Sequence, residues 1–463
     1  MLWHNGKRAG AHRRIVITMA FLAALLPTTG LAQECGKLQL LNTVQLIPSL
    51  SGALDLVPVE FQDNQKTKFL LLDTGGLRSQ LTMDAAKDLQ LQTFAADFQV
   101  SDLTGVHKSS QLAKVDSFSV GRAHVADMNF MIAPLPIADG VFAMDLLGLY
   151  DADLDFGSDT LNYFSEDHCP GAGQYWAAPI VAVLPMSVDS DHHVSIPVEL
   201  DGNLLNAYVD TGATETLIRA DLASTNFGLT LGDGDTPTAG TLNGAGQIYA
   251  HTFKELTFGG VAIDTPQFFF YGPNIEPTQP LSGTSAGPEM IIGMDVLRKL
   301  HLYFAFGENK LFISQASLPE AGNVSPFGAE YLAFQLSAFD QLLLAHPENA
   351  DGLQARCFWR AVAKTDLDSA MADCNQALVL KPDDAASYYS RAFVLYQQGK
   401  YQEALGDVNS ALAANPNISD AFFLRGMIKG QLGDQNGKDA DIAAAKAMMP
   451  RVEINFRRLG VSD

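Results

Sequence analysis

Two short segments carry the same three residues in the same setting. In "FLLLDTGGLRSQLT", Asp73-Thr74-Gly75 follows the apolar run Phe69 to Leu72, and in "LNAYVDTGATETLI", Asp210-Thr211-Gly212 closes a second apolar run. A lone Asp at a strand end is ordinary turn chemistry. Two carboxylates delivered to one cleft behave differently, because like-charge repulsion splits their titration and one proton is held between them. The ionised member can then take a proton from a water while the protonated one donates to a carbonyl oxygen, which is amide hydrolysis without a covalent intermediate. Thr74 and Thr211 offer hydroxyls that can lock the two turns together. Gly75 and Gly212 leave room for backbone close to the carboxylates.

The elements that must deliver these turns are themselves repeated. "VPVEFQDNQKTKFLLLDTGG" and "IPVELDGNLLNAYVDTGAT" each read as an apolar-Pro-Val-Glu strand, a polar turn and an apolar strand ending on the Asp. Asp63-Asn64 and Asp201-Gly202-Asn203 are hairpin signals. Downstream, Met144-Asp145 stands twelve residues before Phe156-Gly157, and Met294-Asp295 stands twelve before Phe306-Gly307. These spacings point to a duplicated, all-β unit of about seven strands per half. From Asp73 to Asp145 is 72 residues and from Asp210 to Asp295 is 85, which places an insertion in the second half. The Pro/Gly/Ser-rich "YGPNIEPTQPLSGTSAGPEM" is its expected place, as a surface loop. Asp145 and Asp295 are expected to cap the short helices that follow them. His192-His193, with Asp189 and Asp191 nearby, reads as a solvated loop, and no metal site is expected.

The chain has 463 residues, which implies roughly three domains at about 150 residues each. Its first 32 residues hold Lys7, Arg8, Arg13 and Arg14 and no acid; without them 26 cationic residues face 52 acidic ones, a net charge of −26. Such a balance excludes nucleic acid and anionic lipid as partners, since both require a basic patch. "KRAGAHRR", "IVITMAFLAALL" and "TTGLA" read as the charged, apolar and cleavage regions of a signal peptide ending at Ala32. The apolar run is shorter than the roughly 20 residues a bilayer span needs, so export to the periplasm or outside is expected, without a stable membrane anchor. Four cysteines, Cys35, Cys169, Cys357 and Cys374, suit an oxidising compartment; none forms a CxxC pair.

Beyond about Ser317 the apolar spacing becomes helical. Pro382, Pro416 and Pro450 stand 34 residues apart, Ala377, Ala411 and Ala445 keep the same step, and so do Gly399 and Gly433. With Ala392 and Gly426 at the helix crossings, this segment resembles tetratricopeptide repeats. Phe358 and Lys438 depart from the small residues usual at their positions, as terminal units do. A turn near Thr365-Asp366 sets Cys357 and Cys374 at equal distances on two antiparallel helices, which predicts their disulfide; Cys35 is paired with Cys169.

With two Asp-Thr-Gly motifs, each followed by an apolar-apolar-small-Met-Asp element, the chain resembles aspartic proteases of the retropepsin and pepsin type, most of all bacterial envelope aspartyl proteases with tetratricopeptide repeats. The resemblance implies two all-β lobes, 33–178 and 179–318, followed by an all-α repeat domain over 327–463. It implies a catalytic dyad of Asp73 and Asp210, supported by Thr74, Gly75, Thr211 and Gly212, with Ile291-Ile292-Gly293 packing under the second turn. The first half has Val141-Phe142-Ala143 there, and Gly76 stands where Ala or Ser is common. Flaps are implied around Gly105-Val106 and Gly244-Ala245, closing on a peptide or protein substrate. The expectation is therefore a one-chain aspartic endopeptidase, monomeric at its active site and without a cofactor, whose repeats recruit substrate or a protein partner. The competing reading is an inactive scaffold acting through its repeats.

Overall fold

The computed structural model describes residues 35–49, 53–61, 65–102, 105–135, 138–189, 192–242, 246–271, 288–318 and 326–461. The expected signal peptide, the turn at Asp63-Asn64 and most of the Pro/Gly/Ser-rich insertion lie outside these residues. A mostly β region, with the short helices Met83–Asp88, Met144–Leu147, Asp221–Asn226 and Met294–Leu297, is followed by a stack of helices.

The duplication is visible in strand order. In the first lobe the neighbours run Asp55–Phe61, Lys66–Leu72, Gly140–Phe142, Gln80–Leu81, Ala123–Ile132, Gly105–Val120 and Gln92–Asp102. In the second they run Val194–Leu200, Asn203–Val209, Met290–Ile292, Leu217–Arg219, Gln267–Tyr271, Gly246–Thr252 and Thr238–Leu242. Over these seven strands the two orders correspond; past Val194–Leu200 the second sheet continues with Glu255–Phe258 and Val261–Asp264, whereas past Asp55–Phe61 the first continues with Ile47–Pro48. Each lobe contains two parallel pairs; one of them, with Leu71 against Val141 in the first lobe and Tyr208 against Ile291 in the second, includes the strand that leads to the Asp. Burial on both faces explains the apolar runs of these strands: Leu70 and Leu72 on one face and Leu71 on the other are at most 5% exposed, as are Ile292 and Ile291 in the second lobe. At the Asp201-Gly202 hairpin both residues have positive φ, 46° and 79°, and Leu200 pairs with Asn203, the geometry of a tight I′ turn.

A third sheet joins the lobes. Its order is Leu40–Gln45, Thr160–Phe164, Asp151–Asp155, Leu300–Ala305, Lys310–Gln315 and Ala182–Pro185. Inside it the buried carboxylates of Asp151 and Asp153 meet His168 Nε2 at 2.7 Å and His301 Nε2 at 2.6 Å. Cys35 is bonded to Cys169, tying the start of the described chain to the end of the first lobe.

The helical stack comprises Ala329–Ala345, Ala350–Val362, Leu367–Leu380, Ala385–Gln397, Tyr401–Ala414, Ser419–Gln431, Gln435–Met448 and Val452–Arg458. A Cβ on Gly426 would lie 3.0 Å from Lys438 O, so a small residue is needed where those helices cross. An arginine ladder follows the repeat: Arg356, Arg391 and Arg425 each form a two-pronged bond with Asp373, Asp407 and Asp441. Cys357 is bonded to Cys374 across the first helical hairpin.

Both ends of this stack rest on the β region. Tyr331 and Phe334 pack on Phe69, with ring centroids 5.8 and 5.0 Å away, and Tyr331 donates to Pro48 O at 2.6 Å. At the other end Arg451 and Arg458 both reach Asp159, which is 1% exposed. Phe327 N donates to Arg458 O at 2.9 Å, so the first and last segments of the stack meet.

Candidate active site

Each dyad candidate follows a strand that pairs in parallel with the strand of the distal apolar-apolar element, Gly140–Phe142 or Met290–Ile292. Asp73 N donates to Phe142 O and Asp210 N to Ile292 O, both at 3.0 Å, so the distal apolar-apolar-small elements hold the Asp backbones directly. Beyond each Asp the chain turns. Gly75 N donates to Asp73 Oδ1 at 2.9 Å and Gly212 N to Asp210 Oδ1 at 2.8 Å, which orients both carboxylates.

The turns are then locked to each other across the lobes. Thr74 Oγ1 donates to Val209 O at 2.6 Å and accepts from Thr211 N at 3.0 Å. Thr211 Oγ1 donates to Leu72 O at 2.8 Å and accepts from Thr74 N at 3.0 Å. Both threonines are buried, so these four bonds act where water cannot replace them. A Cβ at Gly75 would sit 2.5 Å from the Asp210 carboxyl carbon, and one at Gly212 would sit 2.5 Å from Asp73 Oδ1. Each glycine therefore faces the opposite aspartate. Any other residue at either position would displace a carboxylate.

The result is two partly buried carboxyls placed in one site, near enough for the charge of Asp210 to act on Asp73. Burial raises the Asp73 carboxyl well above the ordinary range, and the neighbouring Asp210 charge raises it further. Asp210 is also raised, chiefly by burial, while the Gly212 N–H and the charge of His193 oppose the rise. The pair therefore retains a proton that separate surface carboxylates would have lost.

The two departures in the first lobe compensate each other. A Cβ on Gly76 would lie 3.2 Å from Ala143 Cβ and 3.0 Å from Asp73 Oδ2. In the second lobe the small residue sits on the other side of the contact: a Cβ on Gly293 would lie 3.0 Å from Ala213 O and 2.5 Å from Glu215 O. Gly76 with Ala143 and Ala213 with Gly293 thus keep one glycine per contact.

Asp145 and Asp295 do not cap helices as expected. The N-cap positions are Ala143 and Gly293, with no side-chain cap. Asp145 instead accepts from Ser79 N at 3.0 and 3.1 Å and from Ser79 Oγ at 2.6 Å, and Asp295 accepts from Thr216 Oγ1 at 2.6 Å. Ser79 and Thr216 in turn hold Ala143 N and Gly293 N at 3.1 Å. These braces under the turns were missed in the sequence. Their signal was a hydroxyl six residues after each dyad Asp.

Gly105 and Val106 begin the strand Gly105–Val120, where Gly105 pairs with Asp102 in a long hairpin. Gly244 and Ala245 lie outside the described residues, between the paired Leu242 and Gly246. His192 is exposed, whereas His193 is half-buried, stacked on Tyr208 at 4.9 Å with Nδ1 3.2 Å from Asp189. Among the described residues no group of three or more His, Cys, Asp or Glu side chains is placed to hold a metal ion.

This fold and geometry define a two-lobed aspartic-protease architecture carrying a helical repeat stack. Residues 57–149 and 196–296 match the aspartyl protease family, and residues 358–450 match the tetratricopeptide repeat. No curated protein matches the chain. Among solved structures, basic 7S globulin from soybean aligns with 10% identity over 62% of this chain and 97% of its own, at a TM-score of 0.36. MamA aligns with 19% identity over 28% of this chain and 78% of its own, at a TM-score of 0.23.

Proposed function

We propose that the protein is an exported aspartic endopeptidase whose dyad is Asp73 and Asp210. The observation that carries this reading is the interlocked pair of turns, in which each glycine lies against the opposite carboxylate and the two acids share one partly buried site. In the reaction the ionised carboxylate accepts a proton from water as its oxygen attacks the peptide carbonyl carbon. The protonated carboxylate donates to the carbonyl oxygen, and collapse of the tetrahedral adduct expels the amine after it gains a proton. The segments at Gly105-Val106 and Gly244-Ala245 are the substrate-binding flaps of this reading, and the helical repeats recruit substrate or a protein partner. Two disulfides support an oxidising location. Among the described residues no helix is long and apolar enough to cross a membrane.

Peptide-library digestion between pH 4 and 7 tests the assignment. Wild-type protein cleaves, and Asp73→Asn loses about 10²–10⁴-fold or more in turnover while remaining folded. Near-normal proteolysis by Asp73→Asn overturns the dyad. Absence of cleavage by the wild type favours the scaffold reading.

A further inference from the structure

The duplicated hairpins place different side chains opposite the two dyad acids. In the second lobe Ser195 pairs with Tyr208 in antiparallel register, so two steps further along His193 stands opposite Asp210. In the first lobe Leu56 pairs with Leu71, and the same two steps put Leu54 opposite Asp73. The sequence repeat gives the same correspondence, since His193 and Leu54 each precede the Pro of the apolar-Pro-Val-Glu strand by four residues. Leu54 is buried in the apolar core, whereas His193 is half-buried and carries an imidazole. Equal acids therefore have unequal neighbours.

The imidazole is fixed on the face that carries Asp210. Residues directly or diagonally opposed on antiparallel strands share a sheet face, as do residues two apart on one strand. Tyr208 is the diagonal neighbour of His193 and stands two residues before Asp210; its ring stacks on the imidazole with centroids 4.9 Å apart and planes at 18°. Asp189 holds the other side. Its Oδ1 accepts from His193 N at 3.0 Å, and its Oδ2 lies 3.2 Å from His193 Nδ1 and accepts from the Tyr208 hydroxyl at 2.8 Å. The titratable groups that face the imidazole are thus Asp189 from its own hairpin, the Tyr208 hydroxyl from the neighbouring strand, and Asp210 beyond the end of that strand.

We propose that His193 is a positioning residue for charge: as an imidazolium opposite Asp210 it makes Asp210 the ionised member of the dyad and leaves the shared proton on Asp73. This rests on the peptidase reading and divides its two roles, with Asp210 taking the proton from water and Asp73 donating to the carbonyl oxygen. A cation beside a carboxylate favours the charged form, and imidazole is cationic on the acid side of neutrality. The balance of influences agrees. The charge of His193 opposes the rise that burial imposes on Asp210, whereas the rise at Asp73 is opposed by the backbone N–H groups of Gly75 and Gly76 and increased by the charge of Asp210.

Profiles of kcat/KM between about pH 3 and 8 on the full chain test this. His193→Gln removes the cation and keeps an N–H for Asp189. Without the cation Asp210 holds a proton to higher pH, so the acid limb should move upward and activity on that limb, relative to the variant's own maximum, should fall about threefold or more. His193→Leu, which copies the first lobe, should do the same, and His193→Lys should bring the limb back toward the wild-type position. A purely structural role lowers kcat/KM by one factor at every pH. An acid limb unmoved in His193→Gln, or moved equally in His193→Lys, overturns the proposal. Carbon-13 NMR of protein labelled at the Asp carboxyls reads the same charge without substrate. The Asp210 signal, assigned by its loss in Asp210→Asn, should titrate at higher pH in His193→Gln than in wild type, and an unchanged titration refutes the proposal whether or not any peptide is cleaved. A shifted titration in a protein that cleaves nothing upholds the role of His193 in the charge of Asp210 and refutes the peptidase reading alone.

Discussion

Replacing Thr211 by Val keeps the side-chain volume and removes one hydroxyl. That hydroxyl donates to Leu72 O at 2.8 Å and accepts from Thr74 N at 3.0 Å, in a residue that is 1% exposed. The variant leaves a buried carbonyl and a buried N–H without their partner, each costing about 1–3 kcal/mol, so the loss should be about 2–6 kcal/mol. Leu72 and Thr74 flank Asp73, so the substitution in one lobe also loosens the acid of the other. A displacement on the order of 1 Å at the dyad should cost about 10²-fold in turnover. Thr74→Val removes the mirror pair of bonds, to Val209 O and from Thr211 N, and should cost a similar amount. Because the four bonds form one unit, the double variant should lose less than the sum of the two, by about 0.5–3 kcal/mol. Urea unfolding with an unchanged slope reads the stability, and kcat/KM on a cleaved peptide reads the geometry. A Thr211→Val protein within about 0.5 kcal/mol of wild type and fully active, or strictly additive losses in the double variant, would refute the interlock as the element that holds the dyad.

Two further outcomes follow from buried groups away from the dyad. Burial pushes the Asp55 carboxyl from 3.8 up to about 6, against the opposing pull of Arg298. The folded state then holds a proton that the unfolded chain releases, so this group's contribution falls as pH rises from about 4 to 6, amounting to about 3 kcal/mol. Asp55→Asn should flatten that part of the stability profile relative to wild type, measured by urea unfolding at pH 4, 5 and 6; parallel profiles would contradict it. Replacing Cys357 and Cys374 by Ser in the full chain opens a loop with a sequence separation of 17 and should lower stability by about 3 kcal/mol on the chain-entropy model. Equal unfolding of this variant and of oxidised wild type would show that the bond adds nothing.

Much of this molecule was legible in one dimension because it is built from repeats. The Asp-Thr-Gly turns, the Met-Asp elements twelve residues before Phe-Gly, and the 34-residue step of Pro382, Pro416 and Pro450 are each local chemistry written at least twice. Repetition separates a structural demand from chance, so the two lobes, the helical stack and the pairing of Cys357 with Cys374 could be read before any coordinates. What escaped were contacts between segments far apart in the chain. Asp145 and Asp295 looked like helix caps because a carboxylate before a helix is usually one; only the folded chain brings Ser79 and Thr216 onto them. Gly76 and Ala143 each stood in the sequence as a separate departure, yet a Cβ on Gly76 would come within 3.2 Å of the Ala143 Cβ, so the glycine makes room for the alanine. The seating of the helical stack was equally hidden. It depends on Phe69 meeting Tyr331 and Phe334, and on Asp159 meeting Arg451 and Arg458 nearly three hundred residues later. Periodicity and turn chemistry act over a few residues and leave a pattern in the order of the chain. Complementary packing and buried charge pairing act through space, and which surfaces meet was decided only when the lobes and the helices closed on one another.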